Sequence, residues 1–331
     1  VTVTTLLPDA SSPLDHETAH AAFADMLDGK VSDEAATVFL TTMAERDETS
    51  IEIAAAARAM RERMIPVAAP VGAIDVCGTG GDGAHSLNVS TAVAIVVAAC
   101  GIPVAKHGNR AASSKAGAAD TLEALGLDLD RASARAEESL ADLGIAFLFA
   151  QKHHPALARL APVRRAIGRR TIFNLTGPLA NPARVTRQLI GVARPDYLNT
   201  YAEALRLLGS DSAMMVAGDE PLDELSIAGP SSLVRIGQCG DGEARLAPED
   251  AGLSRHPLEA LRGGDPAYNA AALRRLLMGE AGAYRDAVLL NAAAALIVAG
   301  RVERWTDGVE EAAEAIDAGL AKALLDCWVA F

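Results

Sequence analysis

Aromatic residues are scarce in this chain: two Trp, four Tyr and six Phe amount to 4% of 331 residues. Ala, Leu and Val dominate instead and half of all residues are apolar, which suits a soluble, helix-rich α/β protein with a substantial core and room for two domains. Cysteine is equally sparse. Cys77, Cys100, Cys239 and Cys327 lie far apart without metal-ligand spacing, so no structural zinc is implied and they read as reduced, mostly buried side chains. No apolar run is long and uninterrupted enough to span a bilayer. The stretch from Val1 to Ser12 lacks the basic flank and apolar centre of a signal peptide, so a cytoplasmic protein with no membrane partner is expected. Positive charge is the last deficit: 30 Lys and Arg against 43 Asp and Glu leave −13, which argues against nucleic acid as a partner. The deficit is uneven. From Lys106 to Arg170 eleven basic residues face seven acidic ones, as expected for a small anionic ligand rather than a polyanion.

What the chain does have is a glycine-rich stretch, 75–114, that reads as strand, glycine loop, helix, strand and second polar loop. Glycines at 78, 80, 81 and 83 remove the Cβ atoms that would hold a backbone away from a ligand. A run of free amides there, with the helix N-terminus near Ser90, attracts anions. The second loop brings Lys106 and Arg110 with Asn109, Ser113 and Ser114, the donors a phosphorylated ligand needs. Two anion-holding loops one β-α-β unit apart imply a diphosphate cradle between them. Gly78-x-Gly80-x-x-Gly83 also fits the dinucleotide fingerprint literally. That motif, however, needs a helix starting within the glycines and an acid at the end of the next strand. Here the helix is delayed to about Ser90, and the strand Pro103–Ala105 ends in Lys106-His107.

Around this stretch the patterns alternate. Three helical segments fill about Asp15 to Met64, with Ser32 as a cap and Thr49 with Glu52 as a capping box. Pro66 to Pro70 is a linker. Strands follow at Ile74–Cys77, Pro103–Ala105 and Ile145–Phe149, with helices over 90–100 and near 116–125 and 132–143, the alternation of a parallel sheet covered by helices. His153-His154-Pro155 opens a helix carrying Arg159, Arg164, Arg165, Arg169 and Arg170, most of them read as a solvated face. Later come a strand over 188–193, the helix Tyr197–Leu208, the strand Ala213–Ala217 and, beyond Leu246, an irregular segment and helices to which no chemistry is assigned. The expected fold is α/β: a small N-terminal helical domain, residues 1–68 completed by helices around 155–190, and a larger α/β domain, residues 69–331, with a mostly parallel central sheet.

GTGGDG, NVSTA, KHGNRAASS, RTIFNLTGPLANP and DELS occur in that order between Gly78 and Ser226. Together they resemble the anthranilate phosphoribosyltransferases, whose fold is similar to that of the pyrimidine nucleoside phosphorylases. The resemblance implies transfer of ribose 5-phosphate from phosphoribosyl diphosphate to the amine of anthranilate, a step of tryptophan biosynthesis, with Mg2+ as cofactor and a homodimer built through the helical domain. It implies a phosphoribosyl diphosphate site of Gly78, Gly81, Asp82, Ser86, Asn88, Val89, Ser90 and Thr91. To these it adds Lys106, His107, Gly108, Asn109, Arg110, Ala111, Ala112, Ser113, Ser114 and Ala118. Gly78, Asn109 and Arg164 would contact anthranilate, the planar guanidinium suiting a carboxylate. His107, His154 and Pro178 would orient it. Ser90, Asp223 and Glu224 would hold the metal, two hard carboxylates being what a partly hydrated magnesium on a diphosphate requires. Ala116 and Ala118 stand where many relatives carry serines, and Gln151-Lys152 replaces a proline-containing segment. A pyrimidine nucleoside phosphorylase and a non-catalytic, nucleic-acid-binding relative are the alternatives.

Overall fold

A computed structural model describes residues 5–111, 115–220 and 222–331, so the expected contacts Ala112, Ser113 and Ser114 lie outside the described residues. Three helices open the chain: α1 (His16–Leu27), α2 (Asp33–Glu45) and α3 (Ser50–Arg61). Asp15, Ser32 and Thr49 cap them, each side chain accepting a first-turn N–H, and Thr49 with Glu52 closes the full capping box. Their apolar faces meet where Phe23 packs edge-on against both Phe39 and Phe173.

The chain then builds β1 (Ile74–Gly78), α4 (Val89–Ala99), β2 (Val104–Gly108), α5 (Ala118–Ala124), α6 (Leu129–Ala134), α7 (Ala136–Asp142), β3 (Ile145–Phe149) and α8 (Ala150–His153). Next come α9 (Ala161–Ile167), α10 (Ile172–Leu175), β4 (Arg187–Gly191), α11 (Leu198–Leu207), β5 (Ser212–Gly218), β6 (Ser231–Gly237) and β7 (Gly242–Leu246). Four helices finish it: α12 (Pro266–Leu277), α13 (Ala283–Ala299), α14 (Trp305–Asp317) and α15 (Leu320–Ala330). The sheet order is β3-β2-β1-β4-β5-β6-β7, parallel through β5 and antiparallel beyond it. Strand order reverses between β1 and β4, so the loop after β1 sits at a topological switch point, where open α/β sheets bind ligands. Parallel pairing also brings the carboxyl ends of β1, β2 and β5 to one edge.

Two large cores hold the layers, with a smaller one around Ala105, Leu140, Ala146 and Leu148. Buried α4, apolar on all sides, packs on β1 and β2 beside α13, which itself lies on β4 and β5. The opposite sheet face, through Ile190, Ala213 and Met215, shares a continuous core with α11 and α1–α3. Among the described residues no helix is long and apolar enough to cross a membrane.

Four expectations need correcting. β2 runs to Gly108 rather than stopping at Ala105, because Lys106 and His107 pair in register with Phe147 and Leu148 of β3. The helix expected near 132–143 breaks at Arg135 into α6 and α7. The long basic helix from His153 is a 3-10 turn over Pro155–Leu160, then α9, which Gly168 ends in a left-handed conformation (φ 63°), then α10. Finally, β6 and β7 form an antiparallel pair where the sequence leads to no expected strand; β7 is largely exposed and carries no apolar run to announce it.

Candidate active site

The glycine loop leaves β1 with Gly80, Gly81 and Gly83 at φ of 67°, 80° and 77°, the left-handed region that side chains disfavour. The loop between β5 and β6 crosses directly over the ends of β1 and β4. A Cβ on Gly78 would lie 2.2 Å from the Asp223 carboxylate, and one on Gly191 only 1.5 Å from the Asp223 carbonyl oxygen. No sequence motif marks Gly191, since its need arises from a residue 32 positions further along the chain. Asp223 accepts the Gly80 N–H at 2.7 Å, and Asp82 accepts the N–H groups of Ala84 and Asp223. Glycine loop and acidic loop are therefore cross-linked. Asn291, fully buried on α13, completes the mounting: its amide accepts the Leu225 N–H and donates to the Leu225 carbonyl.

These loops and the segment after β2 enclose one cavity of about 320 Å³. Of the expected phosphoribosyl diphosphate contacts, Gly78, Gly81, Asp82, Ser86, Asn88, Val89, Ser90, Lys106, His107, Gly108, Asn109, Arg110, Ala111 and Ala118 line it, with Asp223 and Glu224. Thr91 does not: it faces into the core of α4, its hydroxyl buried and without a partner among the described residues. Lys106 is 2% exposed; its ammonium donates to the Val76 carbonyl at 2.7 Å and to Ser90 Oγ at 3.2 Å. That placement sets a fixed positive charge beneath the cavity floor. Burial and then Asp82 push Asp223 up to about 7. Glu224 is raised further by burial and Asp223, against the pull of Lys106. Half-buried carboxylates crowded this way call for a cation. No three metal-binding side chains converge among the described residues, so such a cation would take further oxygens from the ligand, as magnesium does on phosphates.

Two expected donors are otherwise engaged. Arg110 is turned away into ion pairs with Asp120 and Glu123, rather than aimed at a phosphate. The Asn88 side chain accepts from Thr121 Oγ1 and Asn269 and donates to the Ala116 carbonyl, so its amide oxygen is already committed within the protein. Asn109 accepts the Arg110 N–H and a bond from Gln151, the residue that departs from the family pattern.

The aromatic-substrate residues divide differently. His107 Nδ1–H donates to the Gly177 carbonyl at 3.0 Å, which leaves Nε2 to accept from His154 Nε2–H at 3.2 Å. Burial, then the neighbouring His154, holds His107 down to about 3; burial, then His153, holds His154 down to about 4. Both rings are neutral at pH 7, and His107 has no free lone pair with which to act as a base. The chain from Gly177 to Asn181 is fastened almost residue by residue. Gln188 donates to the Pro178 carbonyl, Arg61 to that of Leu179, and Asn181 to Asp75 and to the Ala105 carbonyl. Pro178, within this strap, and His154, ahead of the 3-10 turn, are both buried and do not line the cavity. Arg164 does not line it either. It sits half-buried on α9, its pKa lowered by burial, with no acid or carbonyl partner for its guanidinium among the described residues.

Fold and site define a two-domain glycosyltransferase: the family model described as the helical bundle domain of a glycosyl transferase family matches residues 9–64, and that described as its a/b domain matches 71–322. An anthranilate phosphoribosyltransferase of Sphingopyxis alaskensis is 66% identical over 324 residues, covering 98% of each chain. The crystal structure of anthranilate phosphoribosyltransferase from Thermus thermophilus is 45% identical, with TM-score 0.92 over 97% of this chain and 96% of that one. That from Saccharomyces cerevisiae in complex with PRPP and Mg is 28% identical, with TM-score 0.89 over 99% and 96%. The chain belongs to the anthranilate phosphoribosyltransferase family.

Proposed function

We propose that the chain moves the 5-phosphoribosyl group of phosphoribosyl diphosphate onto the amine of anthranilate, giving N-(5-phosphoribosyl)anthranilate and diphosphate. The observation that carries this reading at the level of residues is the single cavity shared by the glycine loop, the segment after β2 and the Asp223–Glu224 pair. As the bond from ribose C1 to the diphosphate oxygen breaks, positive charge grows on the sugar and negative charge on the leaving group, so the protein acts by position and electrostatics. Backbone amides of Gly81 and of the α4 N-terminus face the diphosphate, and Lys106 supplies fixed positive charge below it. Asp223, Glu224 and Ser90 would hold Mg2+, which would supply positive charge to the diphosphate; a homologous structure carries Mg with PRPP. Ribose and phosphate oxygens fall to Lys106, Asn109 and the backbone of 108–111. An aryl amine is a neutral nucleophile at pH 7, and neutral His107, both ring nitrogens already hydrogen-bonded within the protein, meets it by ring contact in the cavity wall rather than deprotonating it.

Arg164 pairs with the anthranilate carboxylate after the α9 body and the sheet edge close on one another. Its unpartnered, half-buried guanidinium supports that role, and the strap from Gly177 to Asn181 is the joint. The helical domain also carries exposed Leu6, Val38, Ile51 and Ile65, which supports its use as a homodimer interface. Loss of anthranilate fluorescence on adding phosphoribosyl diphosphate and magnesium tests the reaction. Arg164→Ala should raise the KM for anthranilate about 100-fold while leaving that for phosphoribosyl diphosphate within about threefold, the loss of one charge-assisted pair. No turnover with both substrates saturating sinks the reaction; equal losses for both substrates sink the role of Arg164.

A further inference from the structure

The segment ahead of α12 contributes no side chain to the cavity, yet it runs along the end of the glycine loop. Leu87 N–H donates to the Leu261 carbonyl at 2.7 Å and Gly263 N–H to the His85 carbonyl at 2.8 Å. A Cβ on Gly263 would stand 2.7 Å from the Ser86 carbonyl oxygen. Asn269, 2% exposed on the first turns of α12, closes this contact. Its Oδ1 accepts the Gly264 N–H at 2.8 Å, and an N–H donor admits only an oxygen there, so Nδ2 must face the other way. Nδ2 donates to Asn88 Oδ1 at 2.9 Å. Thr121 Oγ1 donates to the same oxygen. With Oδ1 committed, Asn88 has only Nδ2 to turn toward the second loop, where it donates to the Ala116 carbonyl at 3.2 Å. One backbone N–H at Gly264 thus decides, through two amides, the bond that joins the start of α4 to the second anion loop.

We propose that Asn269 is a positioning residue for the phosphoribosyl diphosphate site, acting by fixing the Asn88 amide that ties the two anion loops together. The inference rests on the reading that those loops hold phosphoribosyl diphosphate. Asn269→Asp separates this role from mere capping of the Gly264 turn. The carboxylate still accepts the Gly264 N–H but offers Asn88 no donor, so the Asn88 amide swings its Nδ2 to the new carboxylate and releases Ala116.

Steady-state kinetics on the full chain with magnesium saturating, wild type in parallel, test this. Asn269→Asp should raise the KM for phosphoribosyl diphosphate about tenfold and leave the KM for anthranilate within about twofold. Thr121→Val, which removes the second donor to the same oxygen, should raise the first KM about threefold and add nothing in the double variant. An unaltered KM for phosphoribosyl diphosphate in Asn269→Asp, or an equal rise in both constants, overturns the proposal. Should Asn269→Asp fail to fold, a folded Thr121→Val with unaltered kinetics overturns it. A wild type without turnover removes this inference together with the functional reading, whereas a competent wild type beside an unaffected Asn269→Asp removes this inference alone.

Discussion

His107 and His154 are buried imidazoles whose Nε2 atoms share one hydrogen bond, and charging either ring strands a cation without a carboxylate partner. In the unfolded chain each takes up its proton near the ordinary histidine value of about 6.5, whereas the folded values lie at about 3 and about 4. A histidine depressed on folding contributes its full stability above the unfolded pKa and loses it as pH falls toward the folded one. Asp223, raised to about 7, runs the other way and gains as pH drops from 7 toward 4, so the net slope mixes both signs. The single residue is isolated by difference. His154→Gln, which still offers an N–H to His107 Nε2, should flatten the fall in unfolding free energy between pH 6.5 and 4.5 by about 1 kcal/mol per pH unit. Identical slopes for variant and wild type in denaturant titrations would show that His154 does not titrate as its burial implies.

At the scale of elements, the chain relies on side chains that satisfy backbone groups where one element meets another. Glu52 does this for α3. It is fully buried, closes the capping box on Thr49, accepts the Leu14 N–H and pairs with both terminal nitrogens of Arg46. Burial alone would push its carboxyl up, but Arg46 and the N–H donors outweigh burial and leave it below the ordinary value. Replacing Glu52 by Ala takes the carboxylate from Arg46, which keeps the Ala10, Ser12 and Asp47 carbonyls, and strands two backbone donors, which should cost about 3 kcal/mol in chemical denaturation. A loss under about 1 kcal/mol would mean that water reaches the site and re-solvates them. Asn291 and Asn181 follow the same logic at the acidic loop and at the strap, each fixing backbone that carries chemistry without touching the cavity itself.

For the molecule as a whole, the governing feature is that the helical bundle is not a separate bead. Its core runs through α11 onto one face of the sheet, while the cavity lies at the sheet edge and Arg164 stands apart from it on α9. Motion that carries Arg164 toward the cavity therefore bends the Gly177–Asn181 strap, where His107, Gln188 and Asn181 hold on the sheet side and Arg61 on the helical side. The exposed apolar residues of the bundle predict two 34.2 kDa chains per particle by light scattering, and Val38→Glu should shift the particle toward one. A wild-type particle of a single chain at micromolar concentration refutes the dimer.

Helix caps, the glycine loop, the strand-helix alternation and the acidic pair are legible in the residue order, because each is written in residues close together in the chain. Family motifs added which chemistry those pieces serve. Folding in three dimensions is what makes Lys106 a strand residue bonded to Val76 and Ser90, engages Arg110 and the Asn88 amide oxygen, and sets Gly191, Asn269 and Asn291 to hold the loops in place. Each of those facts depends on a hydrogen-bond partner or close contact supplied from far along the chain or across a loop, and one-dimensional spacing carries no record of which distant groups folding will bring together.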